Sequence, residues 1–146
     1  MSVLKIKRVR ENAQLPQRAT DGSAGFDLRA CIEEPLVIQP GEMGKLPTGF
    51  AIELADNNQV ALIVARSSMG VKHGVIPANA VGVIDSDYRG EVYVFLQNHG
   101  QQAYTIQPQD RVAQMLIVPV LLPQIEEVSE LSDTVRGEGG FGSTGK

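Results

Sequence analysis

A single cysteine, Cys31, occurs in the 146 residues, so no intramolecular disulfide can form and a cysteine-ligated zinc site would lack partners. No helix start or neighbouring histidine marks it as a nucleophile. Long apolar runs are also missing. None approaches the roughly 18 residues needed to cross a bilayer, which excludes a membrane span. The segment Met1 to Glu11 alternates charge with Val3, Leu4, Ile6 and Val9 and lacks the continuous apolar stretch of a signal peptide, so a cytoplasmic location is expected. Basic residues are in deficit, 13 against 17 acidic ones, and a formal charge of −4 argues against a nucleic-acid groove. An anionic substrate is still compatible with that balance if a few arginines and a divalent cation are focused at one place. A sustained 3.6-residue apolar period is absent too, so any helix is short.

The chain does contain many short apolar segments separated by Gly, Pro, Asn or Asp, the pattern of strands joined by turns. Strands are expected near Val3 to Val9, Phe26 to Ala30, Leu36 to Ile38, Lys45 to Leu54, Val60 to Ala65, Val81 to Ile84, Glu91 to Gln97, Tyr104 to Ile106, Arg111 to Val118 and Gln124 to Val128. Both alternating faces of Glu91 to Leu96 are apolar, which predicts a strand buried on both sides. Asn98-His99-Gly100 has turn chemistry and suggests a hairpin to Tyr104. The length and 42% hydrophobic content suit one domain with a real core. The expected fold is all-β, a β-sandwich or barrel over residues 1–135.

From Arg136 the composition changes. Five glycines in the last eleven residues make 136–146 a flexible arm. Its Gly137-x-Gly139-x-x-Gly142 matches a dinucleotide-binding spacing, and Gly140-x-x-x-x-Gly145-Lys146 matches most of a P-loop. Both motifs need a strand before and a helix after the glycines, and here the sequence ends instead. What the arm retains are exposed amides, hydroxyls, Arg136 and Lys146 to wrap phosphate, and Phe141 to stack on a base.

Gly82-Val83-Ile84-Asp85-Ser86-Asp87-Tyr88-Arg89-Gly90 is the most informative stretch. A carboxylate leaving the end of an apolar strand is held in a fixed orientation, and Asp85 there can take a proton from water. The same residues also make an ordinary polar turn. Ala24-Gly25-Phe26-Asp27-Leu28-Arg29-Ala30 places an acid on a short strand. Ala65-Arg66-Ser67-Ser68-Met69-Gly70 puts Arg and hydroxyls after a buried strand, and Asp110-Arg111-Val112-Ala113-Gln114 puts an amide within another.

In this order, these segments and Arg136 to Gly145 resemble the five motifs of the homotrimeric all-β dUTPase family, from Ala24 to the C-terminus. The resemblance implies a jelly-roll-like subunit that hydrolyses dUTP to dUMP and pyrophosphate, limiting uracil incorporation into DNA and supplying dUMP for dTMP synthesis. It implies that Asp85 activates water for attack on the α-phosphorus. It further implies that Asp27 helps hold Mg2+ through water, and that Arg66, Ser67, Ser68 and Gln114 bind phosphate oxygens. Asn79 would pair with the uracil edge beside backbone groups of an adjoining hairpin, and Tyr88 would pack under the sugar and exclude a ribose 2′-hydroxyl. The arm would close as a lid, with Phe141 on uracil and Arg136, Gly142, Ser143 and Thr144 over the nucleotide. Each site would be shared between subunits of the trimer.

The sequence departs from the family at Ala65, where many relatives have Pro, and at Ser68, where many have Gly. His73 and His99 receive no role in chemistry. A related dCTP deaminase would need a carboxylate beside the pyrimidine ring, normally Glu. Here the matching region offers Asp85, while Glu91 lies beyond the turn. A non-enzymatic binding module would not account for intact Asp27, Arg66, Asp85 and Arg136. A capsid-like or lectin-like jelly roll explains the strands but not the placed acids, arginines and arm.

Overall fold

The computed structural model describes residues 3–145, so the expected phosphate contact of Lys146 lies outside the described residues. Along the chain run β1 (Lys5–Arg8), β2 (Phe26–Arg29), β3 (Leu36–Ile38), β4 (Met43–Pro47), β5 (Phe50–Glu53), β6 (Gln59–Val64), α1 (Ser67–His73), β7 (Val75–Pro77), β8 (Gly82–Ile84), β9 (Tyr93–Asn98), β10 (Tyr104–Ile106) and β11 (Arg111–Pro119). They form a four-stranded sheet β2-β11-β6-β8, a three-stranded sheet β4-β9-β7, and two-stranded ribbons β1-β5 and β10-β3, all antiparallel. The fold is an all-β, jelly-roll-like sandwich rather than a closed barrel. One core joins every sheet, from Leu28, Ala113, Met115 and Ile63 to Leu46, Val94 and Leu96, with Phe50, Ile38 and Ile106 from the ribbons. Full burial of a side chain of this size contributes about 1.5 to 3 kcal/mol. Among the described residues no helix is long and apolar enough to cross a membrane.

The single strand expected over Lys45 to Leu54 is two, because the chain turns at Gly49. Its φ of 79° is left-handed, and an added Cβ would lie 2.6 Å from the Ala13 Cβ and 2.8 Å from the Cys31 sulfur. The hairpin expected from Asn98 to Tyr104 does not form: β9 pairs with β4 and β7, and β10 pairs with β3. The turn is instead a buried junction. The Asn98 amide donates to the carbonyls of Ile38 at 2.9 Å and Gln102 at 2.7 Å, while its Oδ1 accepts from the Gly100 N–H.

Strand β9 is not closed on both sides either. Val94 and Leu96 are buried, but Tyr93 is half-buried and Phe95 is 37% exposed. The apolar alternate positions serve an open cavity wall as well as the core. Strand β7 was not expected, being three residues long and ending in Pro77. Helix α1 is too short to show a period, and it stops at Gly74 in the left-handed region, φ 67°. Packing against the body ends near Val120, whose N–H reaches the Asn58 carbonyl. Gln124 to Val128, expected as a strand, pairs with nothing among the described residues, and Leu121, Ile125 and Leu131 stand in solvent.

Candidate active site

Two separate groups of the expected residues are brought together by the sheets. The first lies at one end of the four-stranded sheet. In the register of β2 and β11, Gln114 stands opposite Asp27, and on its other side opposite Val64 of β6, two residues before Arg66. The Asp27 carboxylate is buried and lies 3.5 Å from Arg66 Nε and 3.2 Å from Arg111 Nη1. Arg66 also donates to the Arg111 carbonyl at 3.2 Å. Gln114 packs closely on Gly25, where an added Cβ would lie 3.2 Å from its own. Ser67 and Ser68 are exposed at the start of α1, beside Arg66.

Sequence reading missed Arg111. Strict alternation along β11 would send it to the face opposite Gln114. A register shift between Arg111 and Ala113 inserts one residue, which turns Arg111 toward Asp27. Two guanidiniums around one carboxylate leave the cluster one positive charge in excess, a setting for an anion. The Asp27 Oδ1 is buried without a hydrogen-bond donor, as is Arg66 Nε without an acceptor. These two atoms face each other at 3.5 Å, a charged contact too long for a good hydrogen bond, so the carboxylate keeps unused acceptor capacity.

The same observation tests the metal. Among the described residues no group of three or more His, Cys, Asp or Glu side chains could cage an ion. The donor set therefore fits Mg2+ only if a polyphosphate supplies its inner ligands and Asp27 reaches it through water.

The second group lines a cavity of about 360 Å³ between the two larger sheets, large enough for a small-molecule ligand. Asn79, Asp85 and Tyr88 meet there, with Ile63, Gly82 and Ile84 of the four-stranded sheet and Pro77, Tyr93 and Phe95 of the other. Asn79 does not sit in a hairpin, since β7 pairs with β9 and β8 with β6; its turn carries the chain from one sheet to the other. Ala80 in that turn has φ 61°, a left-handed conformation costing an alanine about 1 to 2 kcal/mol. Gly82 keeps the wall thin, for a Cβ there would lie 3.0 Å from the Ile63 Cβ and 3.5 Å from the Asn79 amide nitrogen.

Asp85 follows β8 and is exposed at the cavity edge. Its carbonyl accepts the Tyr88 N–H at 3.1 Å, and the Arg89 guanidinium donates to the carbonyls of Ser86 and Tyr88, so the turn is tied within itself. The Tyr88 ring lies over Gly90, where a Cβ would collide with the phenol. Tyr93 and Phe95 were missed as site residues because their positions read as core.

The arm joins neither group. Arg136, Phe141, Gly142, Ser143 and Thr144 are exposed, Phe141 completely, and the backbone hydrogen bonds of 134–145 run within the segment among the described residues. His73 ends α1 and packs against Tyr104 with the rings tilted by 58° and their centroids 5.0 Å apart, and His99 lies in the turn after β9.

The sandwich carries two arginines around a buried carboxylate, a separate cavity between its sheets and an exposed C-terminal segment. A sequence model described as dUTPase matches residues 11–145. The chain is 52% identical over 143 residues to deoxyuridine 5'-triphosphate nucleotidohydrolase of Burkholderia cenocepacia (strain HI2424), covering 98% of this chain and 97% of that one. It is likewise 52% identical over 139 residues to the protein of the same name from Hahella chejuensis (strain KCTC 2396), covering 95% and 91%. Among solved structures, Staphylococcus bacteriophage 80alpha dUTPase with dUPNHPP superposes with a TM-score of 0.89 at 27% identity, covering 99% of both chains. The chain belongs to the dUTPase family.

Proposed function

We propose that this enzyme hydrolyses dUTP to dUMP and pyrophosphate, with Asp85 as the base that takes a proton from the attacking water at the α-phosphorus. The observation that carries the reading is the meeting of Asn79, Asp85 and Tyr88 in one cavity, at the end of a strand and within a self-bonded turn. Asn79 offers the donor and acceptor needed to read a pyrimidine edge. A pocket that leaves its groups unpaired with the wrong pattern rejects it by about 10⁴ to 10⁵. Tyr88 packs under the sugar. Arg66, Ser67, Ser68 and Gln114 hold phosphate oxygens, supported by the excess positive charge around Asp27. Mg2+, with Asp27 as its outer contact, would neutralise charge on the triphosphate.

The shared trimer belongs to the same proposal. The Asp85 cavity does not include Arg66 or Gln114, and the arm touches neither group. A second copy supplying the missing groups resolves that separation, and it gives the exposed Leu121, Ile125 and Leu131 a surface to cover. Arg136, Gly142, Ser143 and Thr144 then close over phosphate and Phe141 over uracil. The 1–135 body with a 136–146 lid, a cytoplasmic setting, and the roles of limiting uracil in DNA and supplying dUMP for dTMP synthesis complete the proposal.

The direct test is pyrophosphate release from dUTP, dCTP, dTTP and UTP, with and without Mg2+. Only dUTP with Mg2+ is expected to turn over rapidly, and equal cleavage of all four would refute the specificity. Ammonia release from dCTP would favour a deaminase. A further test mixes inactive Asp85→Ala and Arg66→Ala chains. If copies reassort at random, about a quarter of the sites regain both groups and activity returns. No recovery after demonstrated chain exchange would place the two groups in one subunit's site.

A further inference from the structure

Resting on the reading of the Tyr88 pocket as the deoxyribose site, we propose that Arg10 and Glu91 form a strut behind it that fixes Tyr88 and Tyr93 and so sets its selectivity against ribonucleotides. Neither residue lines the cavity, and both act as positioning residues. Arg10 comes from the N-terminal segment, 81 positions away in sequence. Its Nε donates to Glu91 Oε1 at 2.6 Å and its Nη2 to Oε2 at 3.1 Å, a two-pronged pairing of guanidinium and carboxylate. Glu91 Oε1 also accepts the Gly49 N–H at 3.0 Å.

From this pair one link runs to each tyrosine of the cavity. The Tyr88 hydroxyl donates to the Glu91 carbonyl at 3.1 Å, and Arg10 Nη2 reaches the Tyr93 hydroxyl at 3.4 Å. The next residue is pinned as well. Val92 donates to the Phe50 carbonyl, and its own carbonyl accepts both the Thr48 N–H and the Thr48 hydroxyl. Glu91 thus stands between a pinned strand start and the Asp85 turn.

Exposed ion pairs usually contribute little. This one differs because the Glu91 side chain is only 12% exposed and takes three N–H donors. Hydrogen bonding from Arg10, more than any other influence, holds the Glu91 carboxyl below its ordinary range, so the pair stays charged at neutral pH. Glutamine at this position would keep one acceptor and turn an NH₂ toward a donor. The Glu91 backbone would then shift, and the Tyr88 ring would lose its anchor and swing outward, opening room for a 2′-hydroxyl.

The test uses the full-length protein with Glu91→Gln and with Arg10→Lys, which keeps the charge but not the fork. Two quantities are read. In the nucleotide-free protein, amide exchange at Tyr88 should quicken about fivefold or more relative to the parent, while that of Met115 in the core stays unchanged. With nucleotide, the ratio of kcat/KM for dUTP over UTP should fall about fivefold or more, chiefly through a lower KM for UTP. Should Glu91→Gln fail to fold, Arg10→Lys carries both readings.

A Tyr88 exchange rate equal to the parent's overturns the strut, as does an unchanged selectivity ratio. Uniformly faster exchange at Tyr88 and Met115 also overturns it, since that reports lost stability alone. A parent without preference for dUTP over UTP removes the underlying functional reading instead, and the exchange data then decide the strut independently.

Discussion

Replacing Asp85 by Asn is expected to lower kcat for dUTP by about 10² to 10⁴ while the protein stays folded, because an amide cannot accept the proton of the attacking water. The residue suits so clean a test. It is exposed at the cavity edge, and the turn is held through its backbone carbonyl rather than its side chain. Stability should therefore move by no more than about 0.5 kcal/mol, the usual range for surface substitutions. The loss should fall on kcat and kcat/KM alike, since the interaction is made only in the transition state. Steady-state pyrophosphate release and a thermal melt read both quantities. A rise in KM at unchanged kcat would reassign Asp85 to substrate binding.

Deleting Gly137 to Lys146 should cost turnover at least as visibly, by about 100-fold or more, because misplacing a reacting chain by 1 Å already costs that much. The physical reason is water. An open cavity edge would leave a triphosphate hydrated and poorly aligned, and among the described residues the arm is an exposed segment that carries an aromatic, an arginine and two hydroxyls together. The melt of the truncated protein should match the parent's, since Phe141 and its neighbours bury nothing in the body. Phe141→Ala alone should weaken dUTP binding with a smaller effect on kcat. Undiminished turnover after truncation would remove the lid.

Much of this architecture was legible because period-two apolar runs and turn residues are local signals. Leu36–Ile38 and Tyr104–Ile106 fall where short apolar segments between turn residues put them, and the Asp85 turn follows β8 as its composition suggests. Pairing was not legible. Nothing in Asn98-His99-Gly100 states that β10 will join β3, because the partner strand is distant in sequence; the Asn98 amide meets that strand only at the Ile38 carbonyl. Arg111 was hidden by a register shift, which sequence alternation cannot show. Tyr93 and Phe95 were read as core because an apolar cavity wall and an interior share the same residue types. Gln124 to Val128 carries strand chemistry, yet it pairs with no strand among the described residues, because residue type marks a strand former but not whether a sheet edge lies within reach.

The most direct measurement is a crystal structure of the protein with Mg2+ and a dUTP analogue in which the bridging oxygen between the α- and β-phosphorus atoms is replaced so that the bond from the α-phosphorus to the bridge resists cleavage. An ordered water is expected about 2.6 to 3.2 Å from an Asp85 carboxylate oxygen, in line with the leaving group at the α-phosphorus. An Asp85 side chain turned to bulk solvent, with the pyrimidine or the metal occupying the space between it and the phosphate, would contradict that expectation.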